Sequence, residues 1–482
     1  MATVLPATPR RGRWAELFLL LIALVLAFMA YAQVALAATG SLPADMTAYC
    51  GGFTGLVVAA HIVLRWRAPY ADPVILPMAV VLNGMGLAMI YRLSLRYEAT
   101  GSGNASIASR QLIWTIVGVV GAVVTVVLVR DHRTLRRYTY TCMILGLLGL
   151  VAPLVPKLGT AAYGARIWIH FGPLHFQPAE LSKILLTIFF AGYLVANRDA
   201  MALAGPRVLG LQLPRFRDLG PIALAWLVSL GVLVFERDLG TSLLFFGLFV
   251  VMLYVATDRP SWIVIGLLAF AGGVAAAYKL FSHVQARFQI WLDPFNPEVL
   301  GRNPGGSGQL VQGLYGLGNG GLFGTGWGRG RPDLTPLAFS DFIVTSLGEE
   351  LGLTGLLAVL VCYLILAERG LRTAIGIRDG FGKLLATGLA FALAFQVFVV
   401  VGGVTRIIPL TGLTTPFLAY GGSSLLSNWI IVALLLRVSD GARRPPPATS
   451  EIDLTPIIAS EQERRAAAKV ADGEATQVVR LS

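Results

Sequence analysis

Asp293 stands in the run Arg287-Phe288-Gln289-Ile290-Trp291-Leu292-Asp293-Pro294-Phe295, soon after a long apolar stretch and flanked by aromatic side chains. A carboxylate in apolar company suits general-base work near neutral pH, accepting a proton from a hydroxyl during group transfer. Aspartate before proline is also a common turn starter, so this pair alone does not mark a catalyst. Other charged residues supply a setting. Glu180 and Lys183 lie three apart after Pro178 and share a helix face, as a structural ion pair or as part of a charged site. Glu236, Arg237 and Asp238 form one turn between apolar stretches, and Arg406 follows another just before Pro409. Glu349 and Glu350 fall about 12 Å along a helix from Asp341, but adjacent residues point about 100° apart, which favours a structural role for them. Ionisable groups within apolar stretches are costly and tend to line a cavity or pathway.

The elements that must hold these groups are membrane spans. The chain is 56% hydrophobic and only 13% charged, and apolar runs of the length needed to cross a bilayer recur along it. The runs are continuous rather than alternating, which excludes a β-barrel. The expected fold is an all-α polytopic helical membrane protein with about twelve spans, at 14–37, 46–65, 71–93, 111–130, 137–156, 179–197, 218–235, 239–257, 261–280, 341–366, 382–404 and 418–437. Ala35-Leu36-Ala37 resembles a signal-peptide cleavage site, but 14–37 is longer than a signal h-region and reads as an uncleaved span. Net charge +12 follows the spans: Arg10, Arg11, Arg13, Arg65, Arg67, Arg130, Arg133, Arg136 and Arg137 all fall on alternate connections, as do their counterparts downstream. This positive-inside pattern puts both termini in the cytoplasm of a multi-pass plasma-membrane protein and leaves no case for a nucleic-acid partner. Cys50, Cys142 and Cys362 show neither metal-ligand spacing nor a disulfide framework.

Residues 281–340 are expected as a large extracytoplasmic loop, dense in glycine between Gly301 and Gly330 and carrying Trp291, Phe295, Tyr315, Phe323 and Trp327. Glycine lets backbone approach a ligand closely, and long loops of ordered composition tend to be functional. Residues 1–69 read as a cytoplasmic segment with two extra spans, 70–437 as the core, and 438–482, with Pro445-Pro446-Pro447, as a disordered cytoplasmic tail.

Seven motifs in order resemble the RodA/FtsW/SpoVE (SEDS) family over about residues 70–437. They are Gly164-Ala165-Arg166-Ile167-Trp168, Gln177-Pro178-Ala179-Glu180 with Lys183, Asp238-Leu239-Gly240-Thr241, Arg287-Phe288 through Asp293-Pro294, Gly308-Gln309 through Gly320-Gly321, Asp341-Phe342-Ile343 with Gly348-Glu349-Glu350-Leu351-Gly352, and Pro409 to Gly412 with Tyr420-Gly421-Gly422-Ser423-Ser424. The chain departs from the family pattern at Val400 (Asn in many members), Gly308 (Tyr), Ala419 (Ser) and Ile167 (Arg in some). Thr405-Arg406-Ile407-Ile408-Pro409 and the basic tail are similar to the RodA branch of actinobacterial type.

The resemblance implies a ten-helix core plus two added helices and a peptidoglycan glycosyltransferase that polymerises lipid II. It implies Asp293 as the catalytic base. Arg166, Lys183 and Arg287 would bind the diphosphate, and Asp238 and Glu180 would orient them or help to hold a metal, with Gln177, Gln309 and Ser423 also at the substrate. A divalent cation, Mg²⁺ or Mn²⁺, would neutralise charge, with Asp293 and Asp238 as candidate ligands. The implied partner is a class B penicillin-binding transpeptidase. The α-linked donor and β-linked product call for one inverting displacement, with one base and no covalent intermediate. Two alternatives stand beside this: a lipid II flippase or transporter, although no internal repeat is visible, and a non-catalytic scaffold of the division or elongation machinery.

Overall fold

The computed structural model describes residues 12–445 apart from 102–103, 157, 163–164, 172–173, 199–206, 209–210, 213–219, 221–225, 229, 232–237 and 303–304. Most of the expected seventh span, the Glu236-Arg237 pair and the tail from 446 onward lie outside the described residues. The compact unit Arg10–Arg443 is described here; of the other, Met1–Pro9 with Arg444–Ser482, only Arg444 and Pro445 are described. Among the described residues, eleven helices are long and apolar enough to cross a membrane.

The bundle is built inward from lipid-facing helices to buried ones. Helices α1 (Arg13–Thr39) and α2 (Met46–Arg67) precede α3 (Ile75–Ala99) and α4 (Ile107–Leu128). Helix α1 lies along α3, where a Cβ on Gly84 would sit 2.4 Å from the Cβ of Ala27. Small residues allow this backbone approach, the usual device of helix pairs in lipid. A 3₁₀ turn at His132–Tyr138 leads into α5 (Thr139–Val151), followed by α6 (Pro178–Ala196), α7 (Leu239–Thr257) and α8 (Ser261–Leu280). Helices α12 (Ile343–Gly376), α13 (Gly380–Val404) and α14 (Gly422–Arg443) complete the bundle. In α14, 89% of the apolar window is buried, against 6% in α8, so α14 is the axis of the core and α8 faces lipid.

Two connections are more ordered than their composition announced. Between α5 and α6 the chain forms a three-stranded antiparallel sheet, β1 (Gly159–Ala162), β2 (Ala165–Phe171) and β3 (Leu174–Phe176), with Thr160 opposite Trp168 and His170 opposite His175. The stretch 281–340 contains helices α9 (Ser282–Leu292), α10 (Pro297–Leu300) and α11 (Gly308–Gly320), so it is no simple loop.

The glycine-rich part of that stretch is bonded to a break in α12. At 34 residues α12 is about 51 Å long, well beyond a hydrocarbon core of about 30 Å, and it breaks at Gly352 (φ 69°, ψ −175°). The backbone groups freed there are taken up by the loop: Leu353 N–H donates to Gly321 C=O at 2.9 Å and Thr354 N–H to Leu322 C=O at 3.1 Å. In return Thr325 N–H donates to Glu349 C=O at 3.0 Å and Gly326 N–H to Glu350 C=O at 2.9 Å. The two glutamate side chains complete the junction. Glu349 accepts from Arg331 N–H at 2.8 Å, while Glu350 accepts from Gly328 N–H at 2.9 Å and from Arg92 Nε at 3.0 Å. Both carboxylates therefore hold the loop in place, each from its own side.

Gly352→Ala is expected to destabilise the protein by at least about 1–3 kcal/mol. Its backbone conformation suits glycine alone, and an added Cβ would meet the Gly324 nitrogen at 2.2 Å. A lowered melting temperature in detergent, with new protease cleavage between 321 and 331, is the check. An unchanged melt would show the junction to be dispensable.

Candidate active site

The site is built where α6, α7, α9, α13 and α14 meet the segment 405–421. Gln177 is the N-cap of α6 and Pro178 its first residue, where proline's missing N–H costs nothing. Asp238 caps α7, accepting from Thr241 N–H at 2.9 Å and Thr241 Oγ1 at 2.7 Å. Gln177 Nε2 donates to the same carboxylate at 3.3 Å, joining the two helix starts. One turn into α6, the buried Lys183 Nζ donates to Glu180 Oε2 at 2.8 Å and to Gln396 Oε1 on α13 at 2.9 Å. Gln396 Nε2 in turn donates to Thr414 C=O at 2.9 Å, and Thr414 Oγ1 lies 3.0 Å from Ser424 Oγ. Ser427, which donates to Glu180 C=O at 2.8 Å, closes the floor from α14, and Ser423 is buried one turn earlier on the same helix.

Helix α9 is latched across this floor at two points. Arg287 Nη1 donates to Leu410 C=O at 2.8 Å and Thr411 C=O at 3.0 Å. Four residues on, Trp291 Nε1 donates to Arg406 C=O at 3.0 Å. Arg406 answers with Nε to Trp291 C=O and Nη2 to Leu292 C=O, both at 3.1 Å, from a backbone at φ 64°. A non-glycine residue in that region is held by its surroundings. The clasp brings a guanidinium to the peptide carbonyls immediately before Asp293. Asp293 itself is the exposed C-cap of α9, and its carboxylate is met only by Asn296 Nδ2 at 3.4 Å among the described residues.

The electrostatics tie the parts together. Burial pushes the Asp238 carboxyl up, opposed by the Thr241 hydrogen bonds and by Arg287. Burial pulls the Arg287 guanidinium down, opposed by Asp238 and Asp341. Asp341 precedes α12, and burial pushes its carboxyl up to about 6 against the pull of backbone hydrogen bonds and Arg287. Its Oδ1 has no hydrogen-bond partner among the described residues.

A folded protein that keeps this proton to about pH 6, where an ordinary aspartate releases it near 3.8, binds more protons than the unfolded chain between those values. Stability should therefore fall as pH rises from about 4 to about 6, by on the order of 3 kcal/mol, and be level above. Asp238, pushed the same way, adds to the slope. Asp341→Asn should flatten Asp341's share in a melting-temperature profile against pH; an unaltered profile would rule it out as the source.

Of the residues singled out from sequence, the structure gathers Gln177, Glu180, Lys183, Asp238 and Arg287 into one polar cluster, with Asp293 on the helix latched over it and Ser423 buried at the start of α14, next to Ser424. It does not join two others to them. Arg166 is exposed on β2, and Gln309 on α11 donates to Pro336 C=O at 2.8 Å. Both lie on elements apart from those that build the cluster. Sequence reasoning passed over Gln396, one uncharged polar residue in an apolar helix, and over Arg92 and Asp341 as charge partners. A lone glutamine inside a span was the available signal for the first.

The fold and site define a multi-pass helical membrane protein with a buried cluster of polar and charged side chains at one end of the bundle. The chain belongs to the FtsW/RodA/SpoVE family, whose model, described as cell cycle protein, matches residues 73–444. Helices α1 and α2 thus precede the family match. The chain is 51% identical to the peptidoglycan glycosyltransferase RodA of Mycobacterium tuberculosis over 92% of this chain and 93% of that protein. It is 49% identical to the Mycobacterium leprae protein of the same name over 92% and 94%, and 33% identical to a probable peptidoglycan glycosyltransferase FtsW of Trichlorobacter lovleyi over 79% and 96%. Among solved structures it resembles the rod shape determining protein RodA of Thermus thermophilus (TM-score 0.54, 25% identity, 78% of this chain and 98% of that one). It also resembles a chain of a peptidoglycan synthase complex that coordinates polymerization and crosslinking (TM-score 0.53, 26% identity, 82% and 98%).

Proposed function

We propose that this chain is a peptidoglycan glycosyltransferase that polymerises lipid II into β-1,4 glycan strands for cell elongation, releasing polyprenyl diphosphate. The observation that carries the reading is the double latch of α9, in which Arg287 is tied to the carbonyls of Leu410 and Thr411 while Arg406 holds the carbonyls immediately before the open carboxylate of Asp293. Relatives of the same name at half identity over nearly the whole chain support it.

The chemistry divides accordingly. The leaving diphosphate is already anionic and needs charge stabilisation rather than a proton. Lys183 supplies fixed positive charge from the buried floor and Arg287 from the half-buried helix across it, where a lowered dielectric strengthens both. Arg166, exposed on β2, is free to close on the diphosphate once substrate is bound. Asp293 removes the proton from the acceptor sugar's 4-hydroxyl as that oxygen attacks the donor's anomeric carbon from the face opposite the diphosphate, inverting it.

Among the described residues, no group of three or more His, Cys, Asp or Glu could hold a metal. Mg²⁺ or Mn²⁺ needs only one or two carboxylates when substrate phosphates complete its shell, and Asp293 has the open lone pairs for it, Asp238 fewer. Bound there, the cation would neutralise charge on the leaving group.

This reading sets the site on the outer face of the plasma membrane, with both termini inside. It pairs the chain with a class B penicillin-binding transpeptidase, as the relative from a synthase complex suggests. Incubating the purified full-length protein with labelled lipid II, with and without that transpeptidase and with Mg²⁺, Mn²⁺ or chelator, should give long glycan strands on a gel. No strands under any condition, with the protein folded, would overturn the reading.

A further inference from the structure

At the end of the bundle opposite the candidate site, α2 and α4 leave a groove between them. It is shallow and open along one side, floored by Leu76, Trp429 and Val432 and walled by Ala60, Val63 and Ala122 among others, with no charged side chain in its lining. Val63 and Val123 at its rim are partly exposed while the rest of the lining is buried. Ala60 to Leu64 lie three to seven residues before Arg67, the last residue of α2, so the groove begins within about 10 Å of that helix end.

That end is marked by basic and aromatic groups. Arg437 reaches from α14 to the backbone carbonyls of Arg67, Val129 and Arg130, and so holds the ends of α2 and α4 together at the groove's mouth. The Arg65 guanidinium lies 5.3 Å from the Trp14 ring centre and that of Arg67 4.5 Å from Trp66. Both tryptophans are exposed, as rings at the membrane–water interface are. Among the described residues, none of Arg65, Arg67 and Arg130 is paired with a carboxylate, and Arg65 and Arg130 are exposed.

We propose that this groove binds one acyl chain of an anionic phospholipid whose headgroup phosphate sits on Arg65, Arg67 and Arg130. An open apolar groove at the depth of the upper acyl chain, with three cations that lack a carboxylate partner at headgroup level beside it, fits a lipid of that charge. One wall is α2, which lies before the family match, so the site belongs to this chain's added helices. The bound lipid fills the seam between those helices and the core.

The test uses the full-length protein in mild detergent, titrated with phosphatidylglycerol, phosphatidylcholine and undecaprenyl phosphate and read by native mass spectrometry and melting temperature. Phosphatidylglycerol should be retained in preference to phosphatidylcholine and should raise the melting temperature. Arg65→Gln with Arg130→Gln, both surface changes, should lower phosphatidylglycerol affinity about thirtyfold, at roughly a factor of five per arginine, and leave phosphatidylcholine unaffected. Ala122→Phe, which fills the groove, should weaken both lipids. Equal retention of the two phospholipids, a double variant that binds like the parent, or displacement of phosphatidylglycerol by undecaprenyl phosphate would each overturn the proposal. If Ala122→Phe does not fold, the arginine pair still decides.

Discussion

Asp293→Asn is expected to lower lipid II polymerisation by about two to four orders of magnitude, the usual worth of a positioned general base. The amide keeps the size and the contact to Asn296 but has no basic oxygen for the attacking hydroxyl. Stability should barely move, within about 0.5 kcal/mol, because the side chain is exposed and carries one long hydrogen bond. The combination is diagnostic: an inactive protein with the parent's melting temperature has lost chemistry and kept its fold. Arg406 provides a contrast, since its guanidinium fixes the carbonyls of Trp291 and Leu292. Arg406→Leu would misplace the base by loosening α9 and should cost activity together with the order of that helix end. Parent-like rates for Asp293→Asn would move the base elsewhere and end the mechanism proposed above.

Lys183→Met carries the largest expected effect on stability. The methionine matches the aliphatic stem but leaves the Glu180 carboxylate, itself buried, without its cation, and stranding one member of a buried pair costs about 3–5 kcal/mol. Gln396 also loses its donor and passes the disturbance to Thr414. Lower yield and a large drop in melting temperature should follow. Pairing the change with Glu180→Gln should restore much of the stability, since a pair removed together strands nothing. Activity separates the roles. A floor cation that stabilises the leaving diphosphate cannot be replaced by a neutral pair, so the double variant should be folded and slow. A double variant that is both folded and fast would reduce Glu180 and Lys183 to a structural pair.

Much of this was legible before the fold was known, and the boundary has a physical cause. Span positions follow from apolar run length, because a bilayer demands about 20 apolar residues wherever it is crossed. The shared face of Glu180 and Lys183 follows from helical period, and the caps at Gln177-Pro178 and Asp238 from local chain chemistry. Order within 281–340 was only half visible, since glycine density signals close backbone approach without naming the surface approached. That surface proved to be the break at Gly352 and the two glutamates before it.

By itself the sequence determined what the membrane and the helix period impose: the run of spans, the pairing of near neighbours and the carboxylate worth watching. The tertiary structure alone decided which distant residues meet. It set Arg287 on the carbonyls of 410 and 411, Lys183 on Gln396, and Arg406 at the end of the helix that bears Asp293, and it left Arg166 and Gln309 apart. Those meetings join residues more than a hundred positions apart in most cases. No local period records them, because they are fixed by how whole helices pack and where their connecting segments return.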